Sequence, residues 1–373
     1  MRIVEVTPVL GPGGAERLVV DICNQFVLMS HEIYLIILYP IDYNQPIVGE
    51  IDNRVKVVSI NKKNGFDIGS IIRLNKTIKR INPDVVQSHL YAFTYLFPSF
   101  IKKKNKVFLH TIHSDASGES DGGIKRWIRK YAFSRHKVYP VTISEESKAS
   151  FTMFYGLDSK LIYNGRPAIV LDKETIEFAK KEIDTMRVSA NSVVFVNVAR
   201  VVGVKNQVTL AEAINSLSEK GVNVELIIIG DIKDKEMEKS IMSLGNERIH
   251  LLGTRNNPRP YMKIADAFVL SSKMEGMPIT LIEAFSVGVI PVCTAVGGMK
   301  NMIQDGRNGI LIETPEKEKI IEALMRFMDL SAIQKEKMAL ASQQSFDAYD
   351  IVKCAKNYEL YMTELLKNDT NKR

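Results

Sequence analysis

Glu275 and Glu283 stand eight positions apart in the run Glu275-Gly276-Met277-Pro278-Ile279-Thr280-Leu281-Ile282-Glu283-Ala284, which reads as a loop turning into a helix. Gly276 lets the backbone turn sharply or come close to a ligand. Pro278 suits the first position of a helix, where its missing N–H is no loss. The N–H groups just after it have no intrahelical acceptor and, with the helix dipole, form a natural anion site. Glu275 would sit at the mouth of that site, with Glu283 about two turns further on near the same face. A sugar on one carboxylate, a ribose on the other and a diphosphate between them fit this layout. On spacing alone, two such glutamates also describe a salt-bridged helix face.

Arg200 and Lys205 lie just past the apolar run Val193–Val198, with Gly203 between them. Cations at a strand end would stabilise negative charge growing on a departing diphosphate; without other support they would read as solvated loop residues. Gly11-Pro12-Gly13-Gly14 follows the first strand-like run and opens a helix, so amides around Gly13 and Gly14 could cradle an anion. The dinucleotide fingerprint Gly-x-Gly-x-x-Gly is absent, since Ala15, Glu16 and Arg17 follow directly. His113 follows a strand-like run, and strand alternation sends His110 the opposite way from Thr111, which favours His113. His89, after Val85-Val86-Gln87-Ser88, is a further candidate. Gly230-Asp231 and Gly253-Thr254-Arg255 each follow short apolar runs, and Gly297-Gly298 follows Cys293 as close backbone contacts or simple turns. No Asp-x-Asp pair or His/Cys cluster has metal-ligand spacing, so no metal or other cofactor is expected.

These residues need a scaffold that presents strand ends. Short apolar runs at residues 3–7, 32–38, 85–86, 107–111 and 138–143 alternate with helical patterns at residues 15–29 and Ile68–Ile81. The second half repeats the grammar: strands at Val193–Val198, Val224–Ile229, Ala267–Leu270 and residues 290–293, with a helix at 206–220 stopped by Gly221. Continuous apolar strands separated by helices predict parallel sheets covered on both faces. The expected fold is α/β, two doubly wound Rossmann-like domains at residues 1–165 and 170–345, joined near 164–171. Such folds bind ligands outside the carboxyl ends of their strands, where every glycine-rich candidate falls. Residues 346–366 read as a long helix carrying Tyr358, Leu360 and Tyr361, and the polar end 368–373 as disordered.

The 373 residues suggest about two domains. No run reaches the roughly 18 apolar residues of a membrane span, and no signal peptide is evident at the N-terminus. Cys23, Cys293 and Cys354 make neither a disulfide framework nor a zinc spacing, which fits a reducing cytoplasm. The whole net charge of +7 falls in residues 1–165, which hold 22 Lys and Arg against 15 Asp and Glu. Much of it is local: Lys102-Lys103-Lys104 with Lys106, and Lys125-Arg126-Trp127-Ile128-Arg129-Lys130-Tyr131. Basic residues mixed with Trp127, Ile128 and Tyr131 are the composition of a helix on an anionic membrane surface. The alternative is an ordinary solvated helix with Trp127 packed inward. No nucleic-acid motif accompanies the charge, so no nucleic-acid partner is expected.

Residues 261–298 resemble the donor-binding block of retaining GT-B glycosyltransferases of family 4 (glycosyl transferases group 1). The likeness is carried by Tyr261-Met262, Ala265-Asp266-Ala267-Phe268-Val269-Leu270-Ser271-Ser272, the two-glutamate motif, Gly288 and Gly297-Gly298, and extends over nearly the whole chain from Gly13-Gly14-Ala15-Glu16. The resemblance implies a GT-B architecture with a deep inter-domain cleft, an acceptor-binding N-terminal domain and a nucleotide-sugar-binding C-terminal domain. It also implies a C-terminal helix, about 346–366, that crosses back onto the first domain. By resemblance Glu275 holds the donor sugar, Glu283 the ribose, and Arg200 and Lys205 the diphosphate in place of a metal. His113 is the histidine expected to contact the donor sugar, and Asn164-Gly165 matches a motif at the domain junction. Gly13, Gly14, Asn164, Gly230, Gly253, Gly276, Met277, Pro278, Ile279, Thr280 and Leu281 complete the expected substrate-binding set, and Glu275, His113, Arg200 and Lys205 the catalytic one.

The resulting expectation is a metal-independent hexosyl- or N-acetylhexosaminyltransferase that uses a nucleotide diphosphate sugar, UDP-sugar favoured and GDP-sugar possible. Its acceptor would be a glycan or lipid-linked glycan in cell-surface polysaccharide synthesis, met at the inner face of the plasma membrane. The alternatives are a catalytically silent nucleotide-sugar-binding subunit, a GT-B-type sugar-nucleotide epimerase and, disfavoured by the missing fingerprint, a dehydrogenase.

Overall fold

The structure, a computed structural model, describes residues 1–101, 106–120 and 123–370. The basic run Lys102-Lys103-Lys104 lies outside the described residues. The chain forms two compact units, the first of Met1–Pro167 with Tyr349–Arg373 and the second of Ala168–Ala348.

The first unit holds strands β1 (Arg2–Thr7), β2 (Glu32–Ile37), β3 (Lys56–Ser59), β4 (Val85–His89), β5 (Val107–Ile112), β6 (Tyr139–Thr142) and β7 (Lys160–Leu161), in the order β3-β2-β1-β4-β5-β6-β7. Every pairing is parallel. The order reverses between β1 and β4, the point where a doubly wound sheet opens a crevice at its carboxyl edge. Val and Ile fill both faces of the central strands because helices cover both, as continuous apolar runs demand. One face packs on the helix Gly14–Leu28 and the C-terminal helix, the other on helices Ile68–Ile81, Gly123–Ser134 and Glu145–Tyr155.

The C-terminal helix runs Ile351–Thr370, preceded by a separate 3-10 turn at Phe346–Tyr349. It buries Ile351, Cys354, Ala355, Tyr358, Met362 and Leu365 in the first unit's core, a 3.6-residue stripe. Each large side chain of that stripe contributes roughly 1.5–3 kcal/mol of burial. Leu360, on the opposite side of the same helix, is exposed. Residues 368–370, expected to be disordered, continue the helix, because the stripe holds it up to Leu365 and the last turn propagates from there. Gly165 allows this docking: a Cβ there would fall 2.8 Å from Ile351 Cα and from Cys354 Cβ.

The second unit holds β8 (Val193–Val198), β9 (Val224–Ile229), β10 (Ile249–Gly253), β11 (Ala267–Leu270), β12 (Ile290–Thr294) and β13 (Ile310–Ile312), ordered β10-β9-β8-β11-β12-β13 and parallel throughout. It therefore repeats the first unit's winding. Its core gathers Phe195, Leu210, Leu226, Ile228, Val269, Val292, Leu324 and Phe327.

Candidate functional site

In the second unit, chemistry gathers where β8 and β11 end. After β8 a 3-10 turn, Gly203–Lys205, is closed by Asn206 in the left-handed conformation (φ 60°), which asparagine tolerates better than most residues. Asn206 is pinned there through Nδ2 to Pro315 O at 2.8 Å. The loop after β11 is stitched to this turn by Lys273 N donating to Val204 O (2.8 Å) and Ser271 Oγ to Lys205 O (3.2 Å). Lys205 and Glu275 thereby meet: Nζ donates to Oε1 at 2.5 Å. Ser272 Oγ donates to the same oxygen at 2.7 Å. The second carboxylate oxygen, Oε2, has no hydrogen-bond partner among the described residues. Two donors on one oxygen orient the carboxylate and aim the other outward as an acceptor.

Gly297 fixes the same loop from behind. It is left-handed (φ 51°), and a Cβ there would lie 1.8 Å from Glu275 O. Gly298 N donates to Gly276 O at 2.7 Å. The Gly297-Gly298 pair is thus a close backbone contact that holds Glu275, rather than a simple turn.

The motif helix runs Ile279–Val287, with Pro278 at the N-cap, one position earlier than the sequence suggested. The N–H groups of Leu281 and Ile282 are taken by Pro278 O, while those of Ile279 and Thr280 have no intrahelical acceptor. The anion-binding ends of the expectation narrow to those two amides. Met277, Pro278, Ile279 and Leu281 are buried by side chain, and Thr280 is half-buried. Glu283 is buried and lies 3.7 Å from the guanidinium of Arg259, which is 1% exposed. The sequence reading missed Arg259; its clue is an arginine inside an otherwise apolar helix start, Pro258-Arg259-Pro260-Tyr261-Met262.

Arg200 is exposed, and among the described residues its guanidinium makes no ion pair; its carbonyl accepts from Gln207 Nε2 at 2.9 Å. Gly230 and Gly253 act in the sheet. A Cβ on Gly230 would lie 2.0 Å from Ala199 O, and Gly230 N donates to Gly253 O at 2.9 Å. Arg255 is engaged by Glu182 at 2.5 Å and shares that carboxylate with Tyr261.

In the first unit, Gly13 caps and Gly14 begins the helix after β1. The Glu16 carboxylate lies over Gly13, close enough that a Cβ there would collide with it, so a negative charge already faces this helix end. Asn164 is buried beside the C-terminal helix seam, where Arg166 pairs with Asp21 and Arg166 N donates to Tyr349 O at 2.9 Å. His110 turns to the opposite face from His113, bonding Ser88 Oγ at 3.0 Å and stacking on Phe133. His113 Nε2 meets His89 Nδ1 at 2.9 Å, and His89 Nε2 meets Glu5 Oε2 at 2.8 Å. His113 N donates to Glu119 Oε1 at 2.6 Å. Burial pushes the Glu5 carboxyl well above the usual carboxylate range and lowers His89 to about 3 and His113 to about 3. Glu5 was missed by sequence reading, though a lone carboxylate within Ile3-Val4-Glu5-Val6 is itself a signal, since burying one needs a partner.

The basic helix Gly123–Ser134 is only partly a charged surface. Arg129 is buried, 3.5 Å from Glu119 and set over the Phe93 ring, and Arg126 donates to Phe154 O at 2.6 Å. Trp127 is 68% exposed and stacks on Tyr131, so the inward-packed alternative fails. Among the described residues no helix is long and apolar enough to cross a membrane.

Two family models account for most of the chain: Glycosyltransferase Family 4 over residues 12–167 and Glycosyl transferases group 1 over residues 180–344. A capsular polysaccharide biosynthesis glycosyltransferase of Staphylococcus aureus, CapH, is 30% identical over 63% of this chain and 67% of its own. The UDP-Gal:alpha-D-GlcNAc-diphosphoundecaprenol alpha-1,3-galactosyltransferase of Escherichia coli is 27% identical over 70% of this chain and 71% of its own. Among solved structures, Anabaena Alr3699/HepE in complex with UDP and glucose superposes with a TM-score of 0.82 at 19% identity, covering 98% of this chain and all of that one. With two parallel doubly wound units, matching models over both and a relative of this closeness, the chain belongs to the group 1, family 4 glycosyltransferases, of GT-B fold.

Proposed function

We propose that the protein is a retaining, metal-independent glycosyltransferase that moves a hexosyl or N-acetylhexosaminyl group from a UDP-sugar to a hydroxyl of a lipid-linked glycan. The observation that carries this reading is the Lys205–Glu275–Ser272 cluster beside the open amides of Ile279 and Thr280. In this reading Glu275 Oε2 accepts from donor sugar hydroxyls and Glu283 from the ribose. The Ile279 and Thr280 amides, Lys205 and Arg200 take the diphosphate, and their positive charge grows in value as the leaving phosphate gains negative charge. Lys205 is held in place by Glu275 before any anion arrives, which lowers the reorganisation needed in the transition state. The sugar is attacked on the face from which the diphosphate leaves, and the leaving oxygen takes the acceptor's proton, so no separate enzyme base is assigned. UDP as the nucleotude is supported by HepE, whose structures hold UDP, and by the relative named for UDP-Gal.

A membrane-presented acceptor is supported by the first unit's surface. An apolar cavity of about 200 Å³ is walled by Phe66, Ile71, Phe93, Phe97 and Ile128, with Lys125 at its edge. Ile124 and Trp127 stand exposed on the same helix. An exposed apolar patch beside lysines suits the interface of an anionic bilayer. Because Arg129 is buried, the test is the Lys125→Ala/Trp127→Ala/Lys130→Ala variant: loss of cosedimentation with anionic liposomes is expected, and unchanged cosedimentation would sink the membrane part.

The donor reading is tested by thermal unfolding with UDP, GDP, ADP, CMP and their sugars, without added metal. A nucleotide at 100 times its Kd stabilises by about 2.7 kcal/mol. Stabilisation by UDP that disappears in Glu283→Ala is expected. No stabilisation by any nucleotide would sink the donor reading, and conversion of donor without acceptor would favour an epimerase.

A further inference from the structure

Glu5, His89 and His113 lie on one face of the sheet, at its point of reversed winding. Glu5 pairs in register with Gln87 on β4, His89 with Thr111 on β5, and His113 follows β5 by one residue. Two hydrogen bonds join the three in series, Glu5 Oε2 to His89 Nε2 and His89 Nδ1 to His113 Nε2. The series begins at side chains with 0% exposure and ends at His113, which is half-buried. His113 Nδ1 has no partner among the described residues. A neutral imidazole carries one proton, so each ring in such a series must donate on one side and accept on the other. The direction of both bonds is therefore one choice, made at Glu5.

We propose that Glu5, His89 and His113 form a proton-ordering chain in which the proton on Glu5 makes His113 Nδ1 a hydrogen-bond donor to a substrate oxygen at the strand ends of the first unit, Glu5 and His89 acting as positioning residues. This rests on the reading of the protein as a glycosyltransferase whose first unit takes a hydroxyl-bearing substrate. With Glu5 protonated, its Oε2–H donates to His89 Nε2, His89 Nδ1–H donates to His113 Nε2, and His113 Nδ1–H faces outward. Losing one proton reverses the chain: His113 Nδ1–H passes to a ligand oxygen or water, His89 Nδ1–H moves to His113 Nε2, and Glu5 Oε2–H moves to His89 Nε2. His113 then presents an acceptor.

Packing favours the protonated arrangement. Glu5 Oε1 is buried with no hydrogen-bond partner among the described residues, which an ionised carboxylate in such a place tolerates poorly. Burial drives Glu5 and both histidines toward their neutral forms. The neighbours offer little to reverse this. On β4 the carboxyl faces the neutral Gln87, on the helix Gly14–Leu28 the thiol of Cys23, and on the C-terminal helix the hydroxyl of Tyr358, which is 3.2 Å from Thr111 Oγ1. The charges nearby belong to the opposite face and the next helices: Glu119 on the His113 amide, paired with Arg129 and near His110.

The test reads imidazole nitrogens directly. In protein labelled with 15N-histidine at pH 7, long-range proton–nitrogen spectra should show His113 protonated on Nδ1 and bare on Nε2. Glu5→Gln, whose amide can donate to His89, should keep that pattern, and Glu5→Leu should abolish it. Where Glu5→Leu does not fold, His89→Leu makes the same cut one link later. A wild-type His113 protonated on Nε2, or on both nitrogens, would overturn the proposal, as would unchanged His113 signals in Glu5→Leu. In the transfer assay Glu5→Leu should lose about tenfold in kcat, the value of one oriented hydrogen bond, with the Kd for UDP unchanged; full activity would overturn the role toward the substrate. A protein with the expected spectrum that binds no nucleotide sugar would instead overturn the glycosyltransferase reading and leave the proton chain standing.

Discussion

In the second unit the charged groups at the strand ends, Arg200, Lys205 and Glu275, stand on loops and turns, and Lys205 and Glu275 meet by a direct 2.5 Å contact between neighbours of the β8–β11 edge. In the first unit, built on the same winding, Glu5 and His89 stand inside the strands, fully buried, and reach the edge only through His113. The same scaffold thus supports two kinds of site. Loop groups on a fixed edge gather at the strand ends, where one side of each can face a ligand. Strand groups are closed in, and burial pushes Glu5 and His89 toward neutrality, which suits setting a hydrogen bond rather than supplying a charge.

The largest effects belong to the second unit. Glu275→Ala removes both the outward oxygen and the partner that orients Lys205; transfer should fall on the order of 100-fold or more, measured as kcat/KM. A loss below tenfold would remove Glu275 from the reaction. Arg259→Ala cuts the buried pair with Glu283 and should cost about 3 kcal/mol of stability in chemical denaturation, far more than Arg200→Ala, whose side chain is exposed. Gly297→Ala forces a left-handed alanine against Glu275 O and should cost about 2 kcal/mol while lowering activity through the displaced Glu275; full activity would show that the loop tolerates the shift.

The smallest effect sharpens the first unit's side. Folding lowers His89 to about 3, His110 to about 4 and His113 to about 3, burial being the main cause in each. The unfolded chain, with ordinary imidazoles near 6.5, therefore binds more protons below that pH. The stability they contribute is complete above pH 6.5 and is lost as pH falls toward 4 for His110 and toward 3 for His89 and His113, by up to about 1.4 kcal/mol per pH unit for each group. The single tryptophan, Trp127, belongs to this unit, so its fluorescence during denaturation at pH 7 and pH 5 measures the loss. An equal midpoint at both pH values would mean that the three rings protonate freely in the folded protein.

Much of this molecule is written locally. The apolar runs, their spacing and the glycines at their ends determined two parallel α/β units, because a strand covered on both faces is mostly apolar and each crossover needs a helix. The two-glutamate motif, with Pro278 before the helix, was legible for the same reason: its parts are contiguous and a helix start is a local event. Packing of the whole chain decided the meetings across long sequence separations. Lys205 finds Glu275 across 70 positions, Arg259 turns inward to Glu283, and Glu5 reaches His89 across 84 positions. It also decided that Arg129 of the basic helix is buried while Trp127 is not, since the face a helix turns inward depends on what packs against it. Strand order and register bring these residues together, and both are set by packing of the whole sheet, which no local run of residues encodes.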